Sequence, residues 1–82
     1  MIKELEVYIK KNGFDYRLYD KTDNGYIYEQ IMNGKTISYE VFQRKINTKF
    51  NCVSFPSGNA FGIWAWTFWD EKGAINKLKS FT

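Results

Sequence analysis

Three nucleophilic side chains, Cys52, Ser54 and Ser57, lie close together in the second half of the chain. A serine or thiol nucleophile needs a neighbouring base to take its proton, most often an imidazole, and this sequence contains no histidine. No lysine or carboxylate stands at a spacing that would substitute for one, so Cys52 reads as a small core hydrophobe rather than a reactive thiol. With no histidine, one cysteine and no ladder of Asp and Asn residues, the chain also lacks the ligand patterns of zinc and calcium sites. Neither a metal nor a cofactor is expected. Glu29 and Glu40 are expected on one outer sheet face, where Arg17 and Arg44 would pair with them, making a salt-bridged surface rather than an acid–base couple. The glycine-bearing stretch from Ser57 to Gly62 precedes a strand, whereas phosphate-cradling loops precede a helix, and it lacks the GxxxxGK[ST] spacing.

What remains is the chemistry of binding. One residue in five is Phe, Trp or Tyr, and the formal charge of +3 is unevenly spread. Residues 1–43 carry six basic and seven acidic side chains; from Arg44 onward there are six basic residues against Asp70 and Glu71 alone. The acid-free stretch from Arg44 to Trp69 mixes cations with rings. That combination serves protein contacts, where aromatic residues and Arg dominate affinity, and single-stranded nucleic acids, where bases stack on rings beside a cationic track. The expected contact set is Phe42, Arg44, Lys45, Lys49, Phe50, Phe55, Trp64 and Trp66.

The elements that would position these residues follow from periodicity. Ile2, Leu5, Tyr8 and Ile9 share a helical stripe and Asn12-Gly13 is a helix stop, which predicts a helix over residues 2–11. Phe14 to Asp20 and Tyr26 to Met32 alternate as strands. Asn33-Gly34 is hairpin chemistry, and a two-residue turn there predicts Tyr28 beside Tyr39 on the core face, with Phe42 on the other. Phe61 to Trp69 predicts a fourth strand, apolar on both sides, and Asp70 caps a last helix whose stripe is Ala74, Ile75, Leu78 and Phe81. The expectation is a single α+β domain over residues 1–82 of order α-β-β-β-β-α. It has a four-stranded antiparallel meander with both helices on one face. Two short helices cannot cover a sheet that is apolar on both sides. The second face is therefore expected to be covered by the 47–60 loop, by a second copy in a homodimer, or by a partner.

The Tyr39–Lys45 run (YEVFQRK) and the Phe61–Trp66 run (FGIWAW), with the Phe-Pro-Ser turn between them, resemble short uncharacterised proteins of Bacteroides-group bacteria and their phages. The resemblance covers the C-terminal half, rests on aromatic spacing and implies no activity. It adds host-directed inhibitors, which act by occluding a surface, to the classes considered. Charge interrupts the N-terminal stretch MIKELEVYIKK every two or three residues, so neither a signal peptide nor a membrane span is expected there. A lone thiol suits a reducing compartment, and a cytoplasmic location is expected. The sequence therefore points to a non-enzymatic interaction protein that binds a protein partner through its aromatic sheet face and the 47–60 loop. Single-stranded nucleic acid is the alternative ligand.

Overall fold

The computed structural model describes residues 1–81. Among them the chain forms a five-stranded antiparallel sheet, a small two-stranded sheet and one α-helix. The large sheet runs in the order β1 (Tyr8–Lys11), β2 (Phe14–Thr22), β3 (Gly25–Met32), β4 (Lys35–Gln43) and β7 (Ala65–Phe68). The two-stranded sheet is β5 (Ile46–Asn47) with β6 (Cys52–Val53), and α1 spans Glu71–Ser80. The α+β class and the antiparallel meander are as expected. The N-terminal helix, the count of four strands and the placing of two helices on one face are corrected.

The N-terminal correction has a local and a tertiary cause. Asn12 and Gly13 have φ of 54° and 81°, both left-handed, and they join Lys11 to its partner Phe14 as a two-residue hairpin turn. The same dipeptide at Asn33-Gly34, with φ of 52° and 77°, makes the β3–β4 turn between Met32 and Lys35. Upstream of β1, residues 1–7 form an extended strap. The Lys3 N–H donates to the Asn51 carbonyl and the Val53 N–H to the Lys3 carbonyl, each at 2.9 Å. The Tyr28 hydroxyl donates to the Glu6 carbonyl at 2.6 Å. A helix of about ten residues is marginal by itself, so these long-range bonds decide the conformation. Ile2, Leu5 and Ile9 still turn to the core, from an extended chain instead of a helical stripe.

Register supplies the second correction. Pairing begins at Met32↔Lys35 and Ile31↔Thr36, then shifts to Gln30↔Ser38, leaving Ile37 as the extra residue of a bulge. Tyr28 therefore lies beside Glu40 and Tyr26 beside Phe42, while Tyr39 pairs with Glu29 on the opposite face. A second irregularity in β2, between Leu18 and Asp20, shifts Tyr19 in the same way. The expected pairing of Tyr28 with Tyr39 and the expected sharing of a face by Glu29 and Glu40 are both overturned. One inserted residue moves every later side chain to the other side of the sheet.

The sheet thus carries two cores. On one face Ile27 and Val41 meet Ala74 and Leu78 of α1, flanked by Tyr19, Tyr39, Phe68, Ile75 and Phe81. Asp70 caps this helix, its carboxylate accepting from the Gly73 N–H at 3.1 Å, and Lys77 and Lys79 complement the C-terminal dipole. On the other face Tyr26, Tyr28, Phe42 and Ala65 are covered by the strap and by Val53, Phe55, Ala60 and Trp64. Of the three expected covers for this face, the loop takes the place, together with the strap. The expected fourth strand is confined to Ala65–Phe68, because Gly58–Ala60 forms a 3₁₀ turn and Gly62, at φ 87°, bends the chain before Ala65.

Candidate functional site

The eight expected contact residues do not form one surface. Phe42 is fully buried. Its ring stacks on Tyr26 and Tyr28 at centroid distances of 5.6 and 5.8 Å, and receives the edges of Phe55 and Trp64 at 5.3 and 6.3 Å. Phe42, Phe55 and Trp64 are therefore packing residues. Trp66 lies on the opposite face, 5.7 Å from the Phe81 ring and with the Lys77 ammonium 3.9 Å above it. Strand phase accounts for Trp66 but not for Trp64. Phe42 pairs with Ala65 and Val41 with Trp66, which turns Trp66 to the helix. Trp64 lies just before β7, after the bend at Gly62, and reaches the Phe42 side from outside the strand alternation.

Arg44 is held in a bidentate pair by Glu4 of the strap. Its Nε donates to Glu4 Oε1 at 3.1 Å, its second nitrogen donates to Oε2, and the Tyr26 hydroxyl donates to the same carboxylate. The Arg44 hydrogen bonds and then that of Tyr26 hold the Glu4 carboxyl at about 2, below its ordinary 4.5, against the opposing effect of partial burial. A carboxyl lowered in the folded state contributes stability that is present above its unfolded value and lost as pH falls towards the folded value. The fold is therefore expected to weaken between pH 4.5 and about 2, and Glu4→Gln to lose that part of the acid limb while lowering stability at neutral pH. Urea midpoints of both proteins across this range check it. Parallel acid limbs would mean that Glu4 is not the group responsible. The site is solvent-facing, so added salt is expected to shrink the effect.

Lys45, Lys49 and Phe50 are the expected residues that face solvent. Phe50 is 67% exposed at the end of the β5–β6 hairpin. The hairpin tip is built by Asn47, whose side-chain oxygen accepts from the Lys49 N–H at 3.0 Å and whose carbonyl accepts from the Phe50 N–H at 3.3 Å. Asn51 takes the left-handed φ of 51° that closes it. The Lys49 ammonium lies 5.5 Å from the Phe50 ring centroid and that of Lys45 lies 5.6 Å from Trp64. Among the described residues the ion pairs are Lys3–Glu6, Lys10–Asp15, Arg17–Glu29 and Arg44–Glu4, so neither Lys45 nor Lys49 has a carboxylate partner.

A polar row unexpected from the sequence crosses four strands on the strap side of the sheet. Gln30 donates to the Tyr16 hydroxyl at 3.2 Å, Ser38 donates to Gln30 at 2.8 Å, and Thr67 donates to Glu40 at 2.7 Å. Ser38 and Glu40 are buried. Burial pushes the Glu40 carboxyl above its usual value, opposed by the Thr67 hydroxyl that donates to it. The single Ser38 proton cannot serve two acceptors, and its 2.8 Å geometry commits it to Gln30. Glu29, by contrast, accepts from Arg17 at 3.3 Å and from Thr36 at 2.6 Å on the other face. Strict alternation without the Ile37 bulge hides this row, and the one signal for it was the recurrence of polar residues at Ser38 and Glu40 between apolar or aromatic neighbours.

Among the described residues no group of three or more His, Cys, Asp or Glu side chains converges in a metal-binding arrangement. Nor is any helix among them long and apolar enough to cross a membrane. No protein-family model matches the chain, and no curated protein or solved structure matches it.

Proposed function

We propose that this protein is a non-enzymatic binding module that engages another protein through the β5–β6 hairpin, with Phe50 as the anchor and Lys45 and Lys49 beside it. The observation that carries the reading is the 67% exposure of Phe50 on a tip fixed by the hydrogen bonds that the side chain and carbonyl of Asn47 accept. An exposed ring gains roughly 25 cal/mol for each Å² it buries in a partner, and a tip already ordered loses little freedom on docking. Two lysines without internal partners favour an acidic rim around the partner's apolar pocket. The lack of histidine supports a non-catalytic role. With the phage resemblance of the C-terminal half, this gives a host-directed inhibitor that occludes a surface as the specific form of the proposal.

Single-stranded nucleic acid is the second reading, favoured by the placing of both lysines over aromatic rings. Tagged wild-type and Phe50→Ala proteins, expressed in a native-like host, separate the two. The expected result is a protein that co-purifies with the wild type and whose affinity falls on the order of 30-fold with Phe50→Ala, the effect of truncating an aromatic anchor. Recovery of nucleic acid instead, released steeply by salt and by the Lys45→Ala, Lys49→Ala pair, would favour the second reading. Unchanged recovery with both Phe50→Ala and the lysine pair would remove the hairpin from either.

A further inference from the structure

Beside the polar row lies a cavity of about 250 Å³ on the strap side of the sheet, with Lys11, Tyr16, Glu40, Phe55, Pro56 and Phe61 among its walls. Its parts have a common chemical preference. Glu40 is only 6% exposed, and Thr67 supplies it one hydrogen bond at 2.7 Å, whereas an ionised carboxylate has room for several donors. Tyr16 and Phe55 present rings in an edge-to-face pair with centroids 5.1 Å apart. The Lys11 ammonium already rests on one side of this lining, 5.2 Å from the Phe55 centroid and 3.4 Å from the Pro56 carbonyl oxygen. Ring faces, a carbonyl and a carboxylate all favour a cation. Yet Lys11 forms no ion pair with Glu40 among the described residues, so the acid is left without a counter-charge.

We propose that this cavity receives an ammonium or guanidinium group on an alkyl stem, the side chain of a partner's lysine or arginine. Glu40 is its counter-charge, Tyr16, Phe55 and Phe61 are its walls, and Lys11 is the internal cation that it displaces. The site is separate from the exposed hairpin tip and does not depend on the reading of Phe50. A desolvated carboxylate meets a charged donor here in surroundings drier than bulk water, where the pair is worth more than at an open surface. The titratable groups lining the cavity with Glu40 are Lys11 on β1 and Tyr16 on β2.

The test uses the full chain, isotopically labelled and followed by NMR. It is titrated with n-butylammonium chloride and with N-acetyl-lysine methylamide, and sodium chloride serves as the ionic-strength control. Saturable shifts are expected at Tyr16, Glu40, Ser57 and Gly58, and the Glu40 carboxyl carbon is expected to titrate at lower pH when the cation is present. That last readout needs no variant and so survives any variant that fails to fold. Lys11→Met is expected to bind several-fold tighter, and Glu40→Gln to lose about tenfold or more, the scale of a charge-assisted contact. No saturable response in wild type or Lys11→Met, or an equal response in Glu40→Gln, overturns the site. Tighter binding of the lysine derivative than of butylammonium supports a partner side chain as the ligand, and equal binding overturns that source in favour of a free alkylamine.

Discussion

Phe42→Ala is expected to come close to unfolding the domain. The ring is fully buried and contacts four other aromatic rings, two stacked and two edge-on. Truncating a buried Phe costs about 3–5 kcal/mol through lost transfer energy and the cavity left behind. A chain of this length has a total stability of roughly 4–12 kcal/mol at the usual per-residue values. The melting temperature is therefore expected to fall by at least roughly 12 °C. Thermal melts followed by circular dichroism check the size, and fluorescence is a local probe because Trp64 lies 6.3 Å from the Phe42 ring. Phe42→Leu, which keeps most of the volume, is expected to cost less. An unchanged melting temperature with Phe42→Ala would return this ring to the surface and revive an aromatic sheet-face site. Phe42→Glu, the substitution that would split a dimer built on this face, is expected simply to destabilise the fold, because a charge buried there has no partner.

Gly25→Ala has the second largest expected effect. A Cβ at Gly25 would lie 2.5 Å from Phe81 Cδ2 and 2.8 Å from the Phe42 carbonyl oxygen. The first obstacle is a side chain just past the end of α1, and the second is hydrogen-bonded backbone near the open end of the β3–β4 ladder. Phe81 can turn aside only by losing its contact with Trp66 at 5.7 Å, and the ladder oxygen cannot move without disturbing its neighbours. Overpacking of this kind costs about 1–3 kcal/mol. Phe81→Ala removes one obstacle and leaves the other, so Gly25→Ala is expected to cost less in that background than in wild type. Urea midpoints of the two single variants and the double variant decide this. Identical costs in both backgrounds would mean that the ring is not what excludes a side chain at Gly25.

Several features of this fold are legible in neighbouring residues alone. The Asn33-Gly34 hairpin forms where its chemistry requires, because only a residue pair tolerant of positive φ closes a two-residue turn. Asp70 caps α1, and Ala74 and Leu78, four residues apart, are the buried members of its stripe. Asn12-Gly13 carried the same turn signal as Asn33-Gly34, but its preceding stripe of Ile2, Leu5 and Ile9 fits a helix as well as an extended strap. Lys3, Glu4 and Glu6 decide between them by bonding to Asn51, Val53, Arg44, Tyr26 and Tyr28, contacts that span the chain.

The candidate sites were less legible than the fold, for a physical reason. Composition and charge already marked Lys45, Lys49 and Phe50 as a cation-and-ring segment, and Asn47 supplies the local turn that presents them. Whether a ring faces water or the core depends on strand phase, and the extra residue at Ile37 inverts that phase for all of β4 beyond it. Phe42 and Glu40 thereby turn inward to the strap, Tyr39 and Val41 turn to α1, and Glu29 is parted from Glu40. Turns and caps are set by a few adjacent residues and can be read in sequence. Faces, ion pairs and cavities are set by registers and coverings between distant segments, and here only the tertiary structure decided them.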